Sequence, residues 1–275
     1  MLFLGLLMAG VAVGALTGAF DGSESDGGGT DPSVEELFET AEGEDGNDTI
    51  MGTNNDDLIG GADGDDDITG RAGDDILFGE DGNDLIKGRS GQDLIFGGTG
   101  DDLLLGGQDD DYILGGADND TLRGAEGDDI LVGANTQIGD PGPEDLFTQD
   151  GRLFVGNTQY TAPTQPESNE LYGEEGNDLL LLGEGDIGSG GSGNDAFEIG
   201  EWVSDETNVP EVTDFNPTED VLVVRYDSGT SEPTITVDEQ NGVHNVYSDG
   251  RLVAQVTSAS AFTASDVQLY AVPTI

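Results

Sequence analysis

Ten aspartates recur along the chain at intervals of nine: Asp48, Asp57, Asp66, Asp75, Asp84, Asp93, Asp102, Asp111, Asp120 and Asp129. Their carboxylates are hard oxygen donors. Together with backbone carbonyls they suit Ca²⁺, which takes roughly 6–8 oxygens in a flexible shell, better than Mg²⁺, which demands a tight octahedron and keeps its water. The chain has no cysteine and one histidine, so thiolate metal sites are absent and a His-based zinc site lacks its second His.

The elements that position these carboxylates are legible around them. From Gly43 to Val132 the chain reads as ten nonapeptides without insertion, beginning GEDGNDTIM, GTNNDDLIG, GADGDDDIT. Position 1 is Gly in all ten, position 6 is Asp in all ten, and position 8 is Ile or Leu in all ten, from Ile50 to Leu131. The first six residues of each unit are turn formers, and Gly supplies φ > 0 at no steric cost. Where position 4 is not Gly it is Asn55, Asp109 or Asp118, types that tolerate the left-handed region. The last three residues predict a short strand whose middle side chain faces inward. Two units then make one coil, turn–strand–turn–strand, with neighbouring coils paired in parallel about 4.8 Å apart. Residues 18 apart stack, giving two ladders: Asp48, Asp66, Asp84, Asp102 and Asp120, and Asp57, Asp75, Asp93, Asp111 and Asp129.

Without a cation, carboxylates about 5 Å apart repel by roughly 3 kcal/mol at an effective dielectric near 20. Several such contacts exceed the roughly 5–15 kcal/mol that holds a domain together. A Ca²⁺ between turns reverses the sign, and its binding free energy becomes folding free energy. Two ladders of five offer four gaps each, so the block predicts up to about eight ions.

These residues resemble the RTX (hemolysin-type) calcium-binding repeats, whose pattern is G-G-x-G-x-D-x-U-x. The resemblance covers 43–132 and resumes at 173–181 (GEEGNDLLL) and 190–198 (GGSGNDAFE), which adds Asp178 and Asp195 to the metal set. Position 2 departs from the pattern, being Gly only at Gly98, Gly107 and Gly116 in the main block; it reads as the position least tied to the metal. The resemblance implies a parallel β-roll that is disordered without calcium and folds on reaching extracellular calcium. It also implies export through a type I channel by a C-terminal signal. Residues 252–275, with Asp266 their one charge, read either as that signal or as the closing strands of a sheet.

The flanks differ in kind. Residues 1–20 carry no charge and are long enough, as a hydrophobic helix, to cross a bilayer. A transmembrane anchor, a cleaved signal and a mis-assigned start all fit them. Residues 21–42 read as an acidic disordered linker. Residues 133–172, with Pro141, Pro143, Pro163 and Pro166, read as a loop or hairpin excursion. Residues 199–275 alternate apolar and polar, with Asn241-Gly242 and Asp249-Gly250 as hairpin signals, and predict an antiparallel β-rich capping domain. The expected fold is thus all-β: a parallel β-roll, two nonapeptides per coil, with a C-terminal antiparallel cap and an N-terminal hydrophobic helix.

The formal net charge is −52, from 59 acidic and 7 basic side chains. That excludes nucleic acid as a partner and opposes anionic membranes, and it favours metal cations. No H-E-x-x-H or G-x-S-x-G motif occurs, and His244, in a predicted strand, reads as a cross-strand surface residue. Trp202 and Phe197 read as capping core. A Gly/Asp-rich disordered spacer is the competing reading, but it has no use for the invariant Ile/Leu. The functional expectation is a non-enzymatic calcium-binding protein, extracellular or on the cell surface. The alternative is a calcium-dependent adhesin or matrix component whose partner meets the excursion.

Overall fold

The computed structural model describes residues 39–133, 168–200, 203, 207–258 and 260–272. The N-terminal helix or anchor (1–20), most of the linker, the greater part of the excursion and Trp202 lie outside these residues. Among the described residues no helix is long and apolar enough to cross a membrane.

In chain order the strands of the main block are β1 (Glu39–Glu42), β2 (Thr49–Met51), β3 (Asp57–Gly60), β4 (Asp67–Ala72), β5 (Ile76–Asp81), β6 (Leu85–Ser90), β7 (Leu94–Thr99), β8 (Leu103–Gln108), β9 (Tyr112–Ala117), β10 (Thr121–Glu126) and β11 (Ile130–Val132). They continue as β12 (Glu170–Glu175), β13 (Leu179–Leu181), β14 (Ile187–Ser192), β15 (Ala196–Ile199), β16 (Glu211–Phe215), β17 (Val221–Asp227), β18 (Ile235–Gln240), β19 (Val243–Ser248), β20 (Arg251–Ser258) and β21 (Val267–Val272). The one helical element described is a 3-10 turn at Ala264–Asp266.

From β1 to β17 successive strands fall alternately into two sheets; β18, β19 and β20 then join the second and β21 the first. The first runs β1-β3-β5-β7-β9-β11-β13-β15-β17-β21, and the second runs β18-β19-β20-β16-β14-β12-β10-β8-β6-β4-β2. Pairing within the repeats is parallel with an 18-residue register, as in Ile68↔Ile86 and Leu77↔Ile95. This is an all-β fold of two facing parallel sheets, consistent with a β-roll.

The register places every position-8 side chain in one row between the sheets. Ile59, Ile68, Leu77, Ile86, Ile95, Leu104, Ile113, Leu122 and Leu131 are each 0 % exposed. Only Ile50, in the first coil, is partly open. Burying one such side chain is worth about 1.5–3 kcal/mol, so this row is the dominant apolar term holding the coils together.

Three expectations need correction. Residues 39–42 form β1, paired in parallel with β3, so the end of the expected linker is part of the first sheet. The excursion is shorter than its expected bounds, because Glu170–Glu175 already pairs with β10. The tail is not a separate antiparallel sheet: β16 lies parallel to β14, β17 to β15, β20 to β16 and β21 to β17. Among the described strands only β18–β19 and β19–β20 run antiparallel. Apolar alternation sets which side chains face inward, but it does not choose a strand's partner, and here the exposed ends of both sheets supplied one.

The C-terminal end of the interior is closed by aromatics. Phe197 and Phe215 pack with centroids 5.9 Å apart, and Phe262 meets Phe215 edge-on at 5.1 Å. His244 is 7 % exposed and packs edge-on against Phe262, so it is part of this plug and not the surface residue expected from sequence.

Candidate metal centre

Each position-6 Asp sits where a turn enters a strand, with its side chain folded under the turn. Its backbone N–H donates to Oδ1 of the Asp 18 residues further on. The link runs Asp48→Asp66 (2.7 Å), Asp66→Asp84 (2.8 Å), Asp84→Asp102 (2.7 Å) and Asp102→Asp120 (3.0 Å). On the other side it runs Asp57→Asp75 (2.8 Å), Asp75→Asp93 (2.9 Å), Asp93→Asp111 (2.8 Å) and Asp111→Asp129 (2.8 Å). All ten carboxylates of the main block therefore belong to two ladders, and from Asp57 to Asp129 all are at most 4 % exposed.

The ladders continue past the excursion. The second goes Asp129→Asp178 (2.9 Å), Asp178→Asp195 (3.0 Å) and Asp195→Asp220 (3.1 Å). The first passes through an amide: Asp120 donates to Asn169 Oδ1 (2.7 Å), and Asn169 donates to Asp186 Oδ1 (2.9 Å). Sequence reasoning missed Asn169, Asp186 and Asp220. Asn169 precedes Glu170-Leu171-Tyr172 and Gly173 as a position-6 residue should, but its turn lacks the Gly pattern. Asp186 follows a turn one residue short, and Asp220 follows Asn216-Pro217-Thr218-Glu219 with no glycine. The surviving signal in each case was an Asx residue directly before an apolar strand.

The second carboxylate oxygen depends on position 2. At the start of the roll Glu44 and Thr53 donate their N–H to Oδ2 of Asp48 (2.7 Å) and Asp57 (2.6 Å). In later units position 2 turns left-handed, at Ala62 (φ 75), Arg71 (φ 96), Glu80 (φ 78), Arg89 (φ 95), Ala125 (φ 90) and Glu174 (φ 79). There Oδ2 is buried with no hydrogen-bond donor, at Asp66, Asp75, Asp84, Asp93, Asp129 and Asp178, and likewise at Asp111 and Asp195 behind Gly107 and Gly191. Position 2 is thus tied to the carboxylate, contrary to its reading from sequence. The pattern prefers Gly there because the backbone is left-handed, a conformation costing other residues roughly 1–2 kcal/mol. Position 4 behaves as expected at Asp109 (φ 72) and Asp118 (φ 80).

Other oxygens crowd the same place. A Cβ on Gly61 would collide with Asp66 Oδ2 and with the carbonyl oxygen of Gly79 in the next coil, and one on Gly79 with Asp84 Oδ2 and Gly97 O. Position 1 must be Gly because carboxylate and carbonyl oxygens of successive coils converge there. Among the described residues no three His, Cys, Asp or Glu side chains gather at one point, so a cation at this place would need backbone oxygens as well. An uncompensated oxygen-only pocket of this kind fits a hard cation of Ca²⁺ type.

The electrostatics carry the same mark. Loss of hydration on burial, reinforced by the carboxylate one coil away, pushes Asp75 up to about 7, Asp93 to about 8 and Asp111 to about 9. Burial likewise pushes Asp178 up to about 7 and Asp84 to about 6. In each case the backbone N–H from the preceding rung opposes the shift without cancelling it.

Comparison with known proteins agrees with this geometry. The family profile of the RTX calcium-binding nonapeptide repeat (4 copies) matches residues 42–77, 60–95, 69–104, 105–135 and 167–186. The matched stretches, 42–135 and 167–186, carry RTX calcium-binding nonapeptide repeats. No curated protein matches it in sequence. Among solved structures it is similar to the AlgE6R3 subunit from the Azotobacter vinelandii mannuronan C5-epimerase, at 18% identity and a TM-score of 0.24, over 59% of this chain and 79% of that one. It is also similar to the extracellular lipase LipA from Serratia marcescens, at 19% identity and a TM-score of 0.25, over 84% of this chain and 41% of that one. The chain thus spans less than half the length of the lipase.

Proposed function

We propose that this protein is a non-enzymatic calcium-binding module that works outside the cell and folds as it takes up Ca²⁺. The ions lie between successive coils, held by the position-6 carboxylates Asp48, Asp57, Asp66, Asp75, Asp84, Asp93, Asp102, Asp111, Asp120 and Asp129 and by the carbonyls of the Gly turns. Asp178 and Asp195 extend the second ladder, and the main block takes up to about eight ions. The cation supplies the positive charge that the stacked carboxylates lack.

One observation carries this reading: the buried Oδ2 atoms without donors at Asp66, Asp75, Asp84, Asp93, Asp111, Asp129, Asp178 and Asp195. A buried carboxylate oxygen with neither donor nor cation costs several kcal/mol, and a whole row of them is tolerable only if something positive completes it. Working calcium for extracellular modules is about 10⁻⁴–10⁻³ M, which sets the expected site of action.

Circular dichroism of the full chain during a Ca²⁺ titration, with Mg²⁺ as control, tests the reading. A cooperative coil-to-β transition with Ca²⁺ alone in that range supports it. A β spectrum indifferent to Ca²⁺, Mg²⁺ and chelator would show that the Asp ladders are not calcium sites.

A further inference from the structure

The rungs of the two ladders are alike in all but one place. Each donates its backbone N–H to Oδ1 of the next, and among the described residues every rung is an aspartate except Asn169, the neutral member of the first ladder. Asn169 stands directly before β12 and is 1 % exposed. Its Oδ1 accepts the Asp120 N–H at 2.7 Å, so the link that stacks the coils is kept. That bond fixes the amide: the oxygen faces the Asp120 N–H, and the nitrogen takes the place that Oδ2 holds in an aspartate. Nδ2 donates to the carbonyl oxygen of Gly133 at 2.8 Å. Gly133 directly follows β11, as a position-1 glycine should, and a Cβ on it would meet Asp186 Oδ2 at 2.7 Å and Asn169 Cβ at 3.2 Å. Glycine, carboxylate and rung side chain therefore converge here as they do in the main block. The difference is a donor N–H where the other coils carry a bare oxygen. On the next rung, Asp186 Oδ2 accepts the N–H of Gly183 at 2.6 Å. In the same coils the second ladder keeps its character, with Oδ2 of Asp129, Asp178 and Asp195 buried and without a donor.

We propose that Asn169 is a built-in substitute for a cation, a neutral rung that interrupts the first ladder and closes its turn without metal. The inference rests on the calcium reading of the other rungs. The amide N–H supplies to Gly133 O the positive end that a cation would otherwise supply. The nitrogen has no lone pair to offer a metal, and the oxygen is already engaged by Asp120. Taking one negative charge out of the row between Asp120 and Asp186 also removes the repulsion that a cation would have to offset. The last cation gap of the first ladder then lies between Asp102 and Asp120, while the second ladder continues to Asp195. On this side of the roll the β10–β12–β14 seam is held by protein groups alone, so its register does not depend on Ca²⁺. The neutral rung falls where the nonapeptide pattern breaks off and resumes, between Val132 and Gly173. There the chain rejoins the second sheet at β12 without needing an ion to seat it.

The test is to restore the carboxylate. Asn169→Asp is made in the full chain, and Ca²⁺ bound per chain is counted by equilibrium dialysis at about 10⁻³ M Ca²⁺, beside the unsubstituted chain. Asn169→Asp should bind about one ion more, in the gap it completes with Asp120. An unchanged count would mean that the rung has no room for an ion or already holds one, and either overturns the proposal. No bound Ca²⁺ in either chain would overturn the calcium reading and this inference with it, so the two failures are distinguishable. Circular dichroism shows whether Asn169→Asp folds. If it does not, solvent exchange of the Asn169 side-chain amide in the unsubstituted, calcium-loaded chain decides. A proton held by Gly133 O should exchange at least about a hundredfold more slowly than the side-chain amide protons of exposed Asn177. Equal rates for Asn169 and Asn177 would overturn the proposal.

Discussion

The backbone N–H of Asp93 donates to Oδ1 of Asp111 at 2.8 Å, and this single link, repeated coil after coil, both stacks the turns and aims the carboxylates. Oδ1 is held by the neighbouring backbone, which leaves Oδ2 facing the oxygens of position 1. The Asp111→Asn substitution keeps an acceptor for Asp93 but removes the charge. It should raise the calcium midpoint about tenfold, near 1.4 kcal/mol, while leaving the metal-free chain no less ordered. Asp111→Ala also orphans the Asp93 N–H and should cost about 1–3 kcal/mol more. Paired calcium titrations followed by circular dichroism separate the two effects.

The metal-free chain should be more ordered in acid than at neutral pH. Burial raises the folded-state carboxyls, Asp75 to about 7, Asp93 to about 8 and Asp111 to about 9, above the ordinary value of 3.8 that the unfolded chain keeps. Between those values the folded state binds protons that the unfolded state does not. Stability therefore falls with rising pH, by about 1.4 kcal/mol per pH unit for each such proton. The contribution is fully present below about pH 4 and is lost by about pH 9. Circular dichroism in chelator from pH 4 to 9 should show β signal declining as pH rises. Ca²⁺ competes with the same protons, so its midpoint should move to higher concentration as pH is lowered.

The left-handed position 2 offers a stabilising change. Arg89 holds φ 95 with an exposed side chain. Arg89→Gly should relieve roughly 1–2 kcal/mol of backbone strain, partly offset by the greater freedom of Gly when unfolded. Urea denaturation in saturating Ca²⁺ should show a net gain of about 0.5–1 kcal/mol.

Position 4 should reveal the difference between the end of the stack and its middle. Gly46 and Gly100 occupy the same repeat position with φ 114 and 122. A Cβ on Gly46 meets nothing within 4 Å, whereas one on Gly100 collides with the carbonyl of Gly82 in the preceding coil. Gly46→Ala should cost about 1 kcal/mol of strain, and Gly100→Ala more than about 3 because the coils must also part. Thermal melts in Ca²⁺ measure both.

The nonapeptide block was legible in the sequence because three constraints coincide in one register: Gly at position 1, Asp at position 6 and Ile or Leu at position 8. The 18-residue stacking follows from them. The turns at Asn241-Gly242 and Asp249-Gly250 were also legible, and both pairs adopt the left-handed conformation a two-residue hairpin needs. Other features depend on partners remote in sequence. Asn169 joins the ladder because Asp120 and Gly133 O need it, the latter accepting from Nδ2 at 2.8 Å, and its own turn gives little sign of that. Burial of His244 is set by Phe262, from a segment beyond the next strand. A second apolar cluster, on the first sheet and built on Leu58, Phe78, Leu94 and Phe96, was hidden for a different reason: reading every unit against one nine-residue pattern merges two alternating sets that the roll sends to opposite sheets.

That alternation sets a reading frame for change. Each nonapeptide delivers its strand to one sheet and the next to the other, and the outer chemistry of the two is not interchangeable. Loss or duplication of a single unit would send every later strand to the wrong side, dropping residues such as Lys87 into the row of Phe78 and Phe96. Only steps of two units leave the frame intact, so such a chain is expected to lengthen and shorten by whole coils. Across residues 134–167 the frame of the described strands is kept, with β11 in the first sheet and β12 in the second.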